Sequence, residues 1–159
     1  ANHQGLRRSE TRGREGVALT RAHQNAHVGG TSGGTTSRGS FEARHALTSY
    51  KGREESPHHH LWEVAVRVGT ESLNAEHYAL DFHAVHTLLA DAVNAIDGTS
   101  LNDHPEIGSP SPTAERVAEV LADVLAPQYL ALGGTLLMVS VWEGPDNRVD
   151  LNLAENLAS

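Results

Sequence analysis

The stretch Pro57-His58-His59-His60-Leu61-Trp62-Glu63-Val64-Ala65-Val66-Arg67-Val68 decides the fold. His60, Trp62, Val64, Val66 and Val68 fall on one face of an extended chain, and Leu61, Glu63, Ala65 and Arg67 on the other. That is the two-residue period of a half-buried strand. Upstream, a polar loop from Ser49 to Pro57 separates it from Phe41, Ala43 and His45. These three alternate with Glu42 and Arg44 and predict a first strand.

Downstream the period changes. A connection over residues 70–80, with a short extended piece at Tyr78–Leu80, leads to apolar positions 82, 85, 88, 89, 92, 93 and 96. This spacing predicts a helix with one face on the sheet, ended by Asp97-Gly98. After a loop rich in Pro, Ser, Asn and Asp, Ser111 or Thr113 can cap a second helix. Its stripe is Val117, Val120, Leu121, Val124 and Leu125, and it is expected to stop before Pro127. Leu136–Trp142 reads as a strand, Gly144-Pro145-Asp146-Asn147 as a turn, and Arg148–Leu153 as the last strand. The expected order is ββααββ: an α+β domain, with a four-stranded antiparallel sheet and two helices on one face.

The chain has 159 residues, enough for one domain. Its formal charge of −8 is unevenly spread, since residues 1–40 carry six arginines against two glutamates. The folded part is therefore acidic, which disfavours nucleic acid as a partner because phosphate contacts need a basic face. No apolar run approaches the roughly 20 residues that a membrane-crossing helix requires, and no apolar segment follows Arg7-Arg8 as a secretory signal would need. There is no cysteine, which removes disulfides and thiolate ligands and fits a reducing compartment. Residues 1–39 are expected to be a flexible basic tail, given Gly29-Gly30-Thr31-Ser32-Gly33-Gly34, and residues 40–159 the folded domain.

Eleven histidines are the unusual component. On a strand, His58 and His60 share a face at roughly 7 Å backbone separation, close enough for both rings to reach one ion; His59 points away. His45 ends the preceding strand, and antiparallel pairing could bring it alongside. Three protein ligands leave an open position, the catalytic form of a zinc site. Taken alone, the His-x-His reads either as a metal site or as a solvated histidine cluster. His83 and His86, with His77 just before them, read as a helix surface that happens to carry histidine.

Several motifs occur in order between residues 41 and 152. They are Phe41-Glu42-Ala43-Arg44-His45, His58-His59-His60, Leu80-Asp81-Phe82, Asp97 with Leu101-Asn102, Pro112-Thr113-Ala114-Glu115 and Val141-Trp142-Glu143. Together they resemble the 6-pyruvoyl-tetrahydropterin synthase and 6-carboxytetrahydropterin synthase family. The resemblance implies a T-fold subunit that assembles as a trimer or hexamer, with active sites between neighbours. It implies a cytoplasmic zinc enzyme acting on dihydroneopterin triphosphate, in a queuosine, folate or biopterin pathway. Zinc would sit on His45, His58 and His60, and Thr113, Glu115 and Glu143 would form the substrate-binding set. The carboxylate matching Glu143 would take the two adjacent N–H donors of the pterin edge.

Two departures from that family matter. Its usual base is a cysteine four residues before the His-x-His, where this chain has Glu54 beside Glu55. Its Asp-His relay is reduced to Asp97, because Gly98 stands at the histidine position. Glu54 and Asp97 are thus the catalytic candidates. A desolvated glutamate can serve as a general base, which implies cleavage of the pterin side chain as in family members with glutamate there. His104 could supply a displaced relay group. The alternative is a non-catalytic homologue that binds pterin or metal. Plainer roles exist for each residue: an exposed acidic pair for Glu54 and Glu55, a helix terminator for Asp97, an N-cap for Thr113 and a surface charge for Glu143.

Overall fold

The computed structural model describes residues 33–47, 56–70 and 80–154, together with the backbone of 6–10. The elements are β1 (Leu6–Glu10), β2 (Gly33–His45), β3 (His58–Thr70), α1 (Phe82–Asn94), β4 (Thr99–Ser100), a 3-10 turn (Leu101–Asp103), α2 (Ala114–Ala131), β5 (Thr135–Glu143) and β6 (Asn147–Asn152). The α+β class and the ββααββ order of the main elements agree with the sequence reading.

The sheet differs from it. Among the described residues six strands, not four, form one sheet in the order β1-β6-β5-β3-β2-β4, and β4 runs parallel to β2, so the sheet is mixed. The chain reaches β4 through a hook at the end of α1. Gly98, at φ 72°, takes a left-handed turn. Its N–H donates to Glu42 O at 2.7 Å, and Asp97 Oδ1 accepts from Glu42 N–H at 2.8 Å. A two-residue strand held this way has no periodicity to read.

The expected boundary at residue 39 also moves. β2 begins at Gly33 and pairs with β3 from Gly33↔Thr70 to His45↔His58. Leu6–Glu10, within the expected tail, pairs antiparallel with β6. Small polar residues give no hydrophobic alternation, yet Thr35 and Ser37 continue the inward face of β2 and are buried. Gly39 lies under α1, and a Cβ there would stand 3.4 Å from Val93 Cγ2 and 3.6 Å from Leu89 Cγ. Smallness lets the helix approach the strand.

Both helices contribute to one core with the inward residues of the sheet. Val85, Leu89 and Val93 of α1 and Val117, Val120, Leu121 and Leu125 of α2 cluster with Trp62, Val64, Val66, Val68, Val139, Val141, Val149 and Leu151. Asp81 caps α1 by accepting from the N–H groups of His83 and Ala84, and Thr113 caps α2 by accepting from Arg116 N–H. The helix expected to stop before Pro127 runs through it to Ala131. Proline forfeits one backbone bond, but buried Leu125 and Tyr129 bracket it, and the Tyr129 hydroxyl donates to Val85 O at 3.1 Å. Tertiary packing outweighs the local penalty.

Where Val68 faces Leu136, the β3–β5 register shifts and Leu137 becomes the extra residue of a bulge. The opposite face of the sheet is polar. There the Arg38 and Arg148 guanidiniums stand 5.2 Å and 5.0 Å from the Trp142 ring centre, paired with Glu63 and Asp150. Among the described residues, no helix is long and apolar enough to cross a membrane.

Candidate metal centre

The site forms where β2 and β5 end and β3 begins, at one edge of the helix-facing sheet surface. The register sets His45 opposite His58 and Ala43 opposite His60, so strand alternation turns His45, His58 and His60 toward one another. Their ring centres are 5.9 Å (His45–His58), 5.3 Å (His45–His60) and 5.6 Å (His58–His60) apart. Rings bonded to one tetrahedral ion at about 2.1 Å would have centres about 5 Å apart, a spacing that the rings approach, but the donor atoms that converge within 4.8 Å are those of His45 and His60 with Glu143, and His58 is not in that group. His59 lies on the other face, where its Nε2 is 3.6 Å from Glu42 Oε2.

His45 is the most buried of the three. It is buried at 2% exposure, and its Nδ1 lies 2.9 Å from the carbonyl of Pro112. A carbonyl only accepts, so Nδ1 carries the proton and Nε2 faces the site. This is the arrangement by which an outer partner orients a metal-binding imidazole. Asn102 holds the adjoining backbone, its amide donating to Ala46 O and accepting from Ala46 N–H, both at 2.8 Å. Trp62 floors the site, edge-on to His45 at 4.9 Å and stacked on Phe41 at 5.8 Å.

The second feature is Glu143, which lies across from Trp62 at the end of β5. Its Oε1 stands 2.9 Å from His45 Nε2 and 3.5 Å from His60 Nε2. Among the described residues, His45, His60 and Glu143 bring their donor atoms within 4.8 Å of one another. The sequence reading assigned Glu143 to substrate and had no signal for this contact, which depends on the β3–β5 register. Burial pushes the His60 imidazole below its ordinary value of 6.5, assisted by the rings of His45, His58 and His59 and opposed by Glu143. A neutral imidazole is the form a metal requires. Two imidazoles and a carboxylate, those of His45, His60 and Glu143, are a donor set that a divalent cation such as zinc accepts.

The pattern that defines the 6-pyruvoyl tetrahydropterin synthases matches residues 35–153. The chain belongs to the 6-pyruvoyl tetrahydropterin synthase family. No match was found among curated proteins. Among solved structures, the chain is similar to the Caenorhabditis elegans 6-pyruvoyl tetrahydropterin synthase, with TM-score 0.63, 18% identity, and 76% of this chain and 95% of that one covered. An uncharacterized protein from Wolinella succinogenes gives 0.64 and 15%, covering 77% and 98%. A Plasmodium vivax 6-pyruvoyltetrahydropterin synthase, solved with a catalytic glutamate replaced by alanine, gives 0.58 and 16%, covering 77% and 99%. At these identities the structures establish the shared fold.

The remaining candidates fall in different places. Asp97 is exposed, with its carboxylate on the Glu42 N–H. Thr113 spends its hydroxyl as the α2 cap at 3.1 Å from Arg116 N, next to the Pro112 carbonyl that holds His45. Glu115 lies in the first turn of α2, where a negative charge suits the helix dipole. His104 Nδ1 accepts from the N–H groups of Glu106 and Ile107, both at 3.1 Å, so the ring organises its own loop. His86 meets Ser37 Oγ at 3.0 Å. Glu54, His77 and Tyr78 lie outside the described residues.

Proposed function

We propose that this chain is a zinc-dependent lyase that acts on dihydroneopterin triphosphate. The observation that carries the reading is the convergence of three imidazoles around buried His45, whose Nδ1 is committed to the Pro112 carbonyl. His45, His58 and His60 would hold the zinc. Bound there, the ion supplies Lewis-acid polarisation of the side-chain hydroxyls and makes the neighbouring C–H protons more acidic. Glu143, Thr113 and Glu115 form the side that receives the pterin ring, with the Glu143 carboxylate matched to the two N–H donors of its amino-pyrimidine edge. Glu54 is the general base and Asp97 the remaining member of the relay. A glutamate in the catalytic role has a precedent in the Plasmodium vivax relative. On the same reading the chain works in the cytoplasm as a trimer or hexamer with sites between subunits, in queuosine or a related pterin pathway.

A second reading, a homologue that binds pterin or metal without turnover, is favoured by one specific feature. Gly98 stands where the family has its relay histidine, and the Asp97 carboxylate is engaged by Glu42 N–H. Incubating zinc-loaded protein with dihydroneopterin triphosphate and weighing the pterin products by mass spectrometry separates the two. A hydroxymethyl, carboxy or pyruvoyl product supports the lyase and identifies its reaction. Unchanged substrate, with binding retained, overturns the lyase in favour of the second reading.

A further inference from the structure

We propose that Glu143 is an exchangeable metal ligand: it closes the metal site in the free protein and leaves it when an aminopyrimidine ring binds. The inference rests on the metal and pterin parts of the function proposed above. With Nδ1 of His45 donating to Pro112, the neutral ring has a lone pair at Nε2, which stands 2.9 Å from Glu143 Oε1. Two acceptors at that distance repel unless something positive lies between them. The same oxygen is 3.5 Å from His60 Nε2, so one carboxylate oxygen sits where two imidazole nitrogens converge, on the helix-facing side of the sheet and a quarter exposed. A divalent cation satisfies all three donors at once, and carboxylate oxygen is an ordinary zinc ligand.

The two duties of Glu143 compete. Gripping adjacent N–H donors of an aminopyrimidine needs both carboxylate oxygens pointed at the ring, whereas Oε1 is turned toward His45 and His60. Binding the ring therefore withdraws the carboxylate and frees a coordination position beside the ligand. The site is then closed at rest and opened by its own substrate, without any change of fold.

The test uses the full chain loaded with Co2+, whose visible absorption reports its ligands, and unsubstituted pterin, which has no side-chain hydroxyls to offer the metal. Chelator competition should show Glu143→Gln weakening Co2+ binding by at least tenfold, with Glu143→Asp intermediate. Saturating pterin should change the spectrum of the wild type. Metal affinity within twofold of wild type in Glu143→Gln, or an unchanged wild-type spectrum with pterin bound, overturns the proposal. The first outcome would mean that His45 and Glu143 are bridged by a proton only, and the second that Glu143 does not leave the metal. Undiminished Co2+ binding in His45→Ala, or no pterin binding by wild type, would instead overturn the functional reading beneath it. Circular dichroism of each variant checks that it is folded.

Discussion

The ring of His45 is held by the carbonyl of Pro112, 67 residues further along the chain, through a 2.9 Å hydrogen bond in the protein interior. The residue after Pro112 caps α2, and the loop before it carries Asn102, which clasps Ala46. The second helix and its leading loop therefore aim the Nε2 of His45, at the end of β2, at Glu143 and His60.

Removing that clasp should loosen the site. Asn102→Ala deletes two hydrogen bonds to the Ala46 backbone, an expected loss of about 1–3 kcal/mol. Urea unfolding of the metal-free protein measures it, and zinc affinity by chelator competition should weaken in parallel. Full zinc affinity in the variant would show that the loop does not aim His45.

Acid should destabilise the metal-free protein through His60. Its folded pKa lies below the ordinary 6.5 because burial disfavours the charged ring, so the unfolded chain binds the proton more tightly. The stability carried by neutral His60 is complete above about pH 6.5 and is lost as pH falls from there through the lowered folded value. The midpoint temperature should drop between pH 7.5 and 5.5, and drop less in His60→Asn. An equal drop in both proteins would remove His60 as the source.

Pro127 offers a check on the helix that runs past it. The residue is exposed, so Pro127→Ala opens no cavity and restores an N–H for the carbonyl one turn back. Stabilisation by about 1–3 kcal/mol is expected, read as a raised midpoint in thermal unfolding. Destabilisation would mean that α2 needs a break at this point.

Leu89 is fully buried beneath β2, facing Gly39. Leu89→Ala should cost about 2–5 kcal/mol, measured by urea unfolding. A cost below 1 kcal/mol would contradict the packing of α1 on that strand.

Much of the architecture is legible residue by residue. The two-residue period of His60, Trp62, Val64, Val66 and Val68 gives the central strand and its inward face, and all the apolar members are buried. The same period separates His59 from His58 and His60, and the helical stripes through Val85, Leu89 and Val93 and through Val117, Val120 and Leu121 identify the buried faces. These are local properties, fixed by how often a side chain returns to the same side of its own backbone.

What joins distant segments was decided only in three dimensions. β1 and β4 are held to the sheet by pairing that their sequences do not advertise. Asp97 engages Glu42 because the end of α1 lands beside β2, and α2 survives Pro127 because Tyr129 is anchored to α1. Glu143 enters the histidine cluster because β5 pairs with β3 in a register that puts it opposite Trp62. Periodicity tells each residue which way to face. Whether His45, His60 and Glu143 then meet depends on strand order and register, which no single segment encodes.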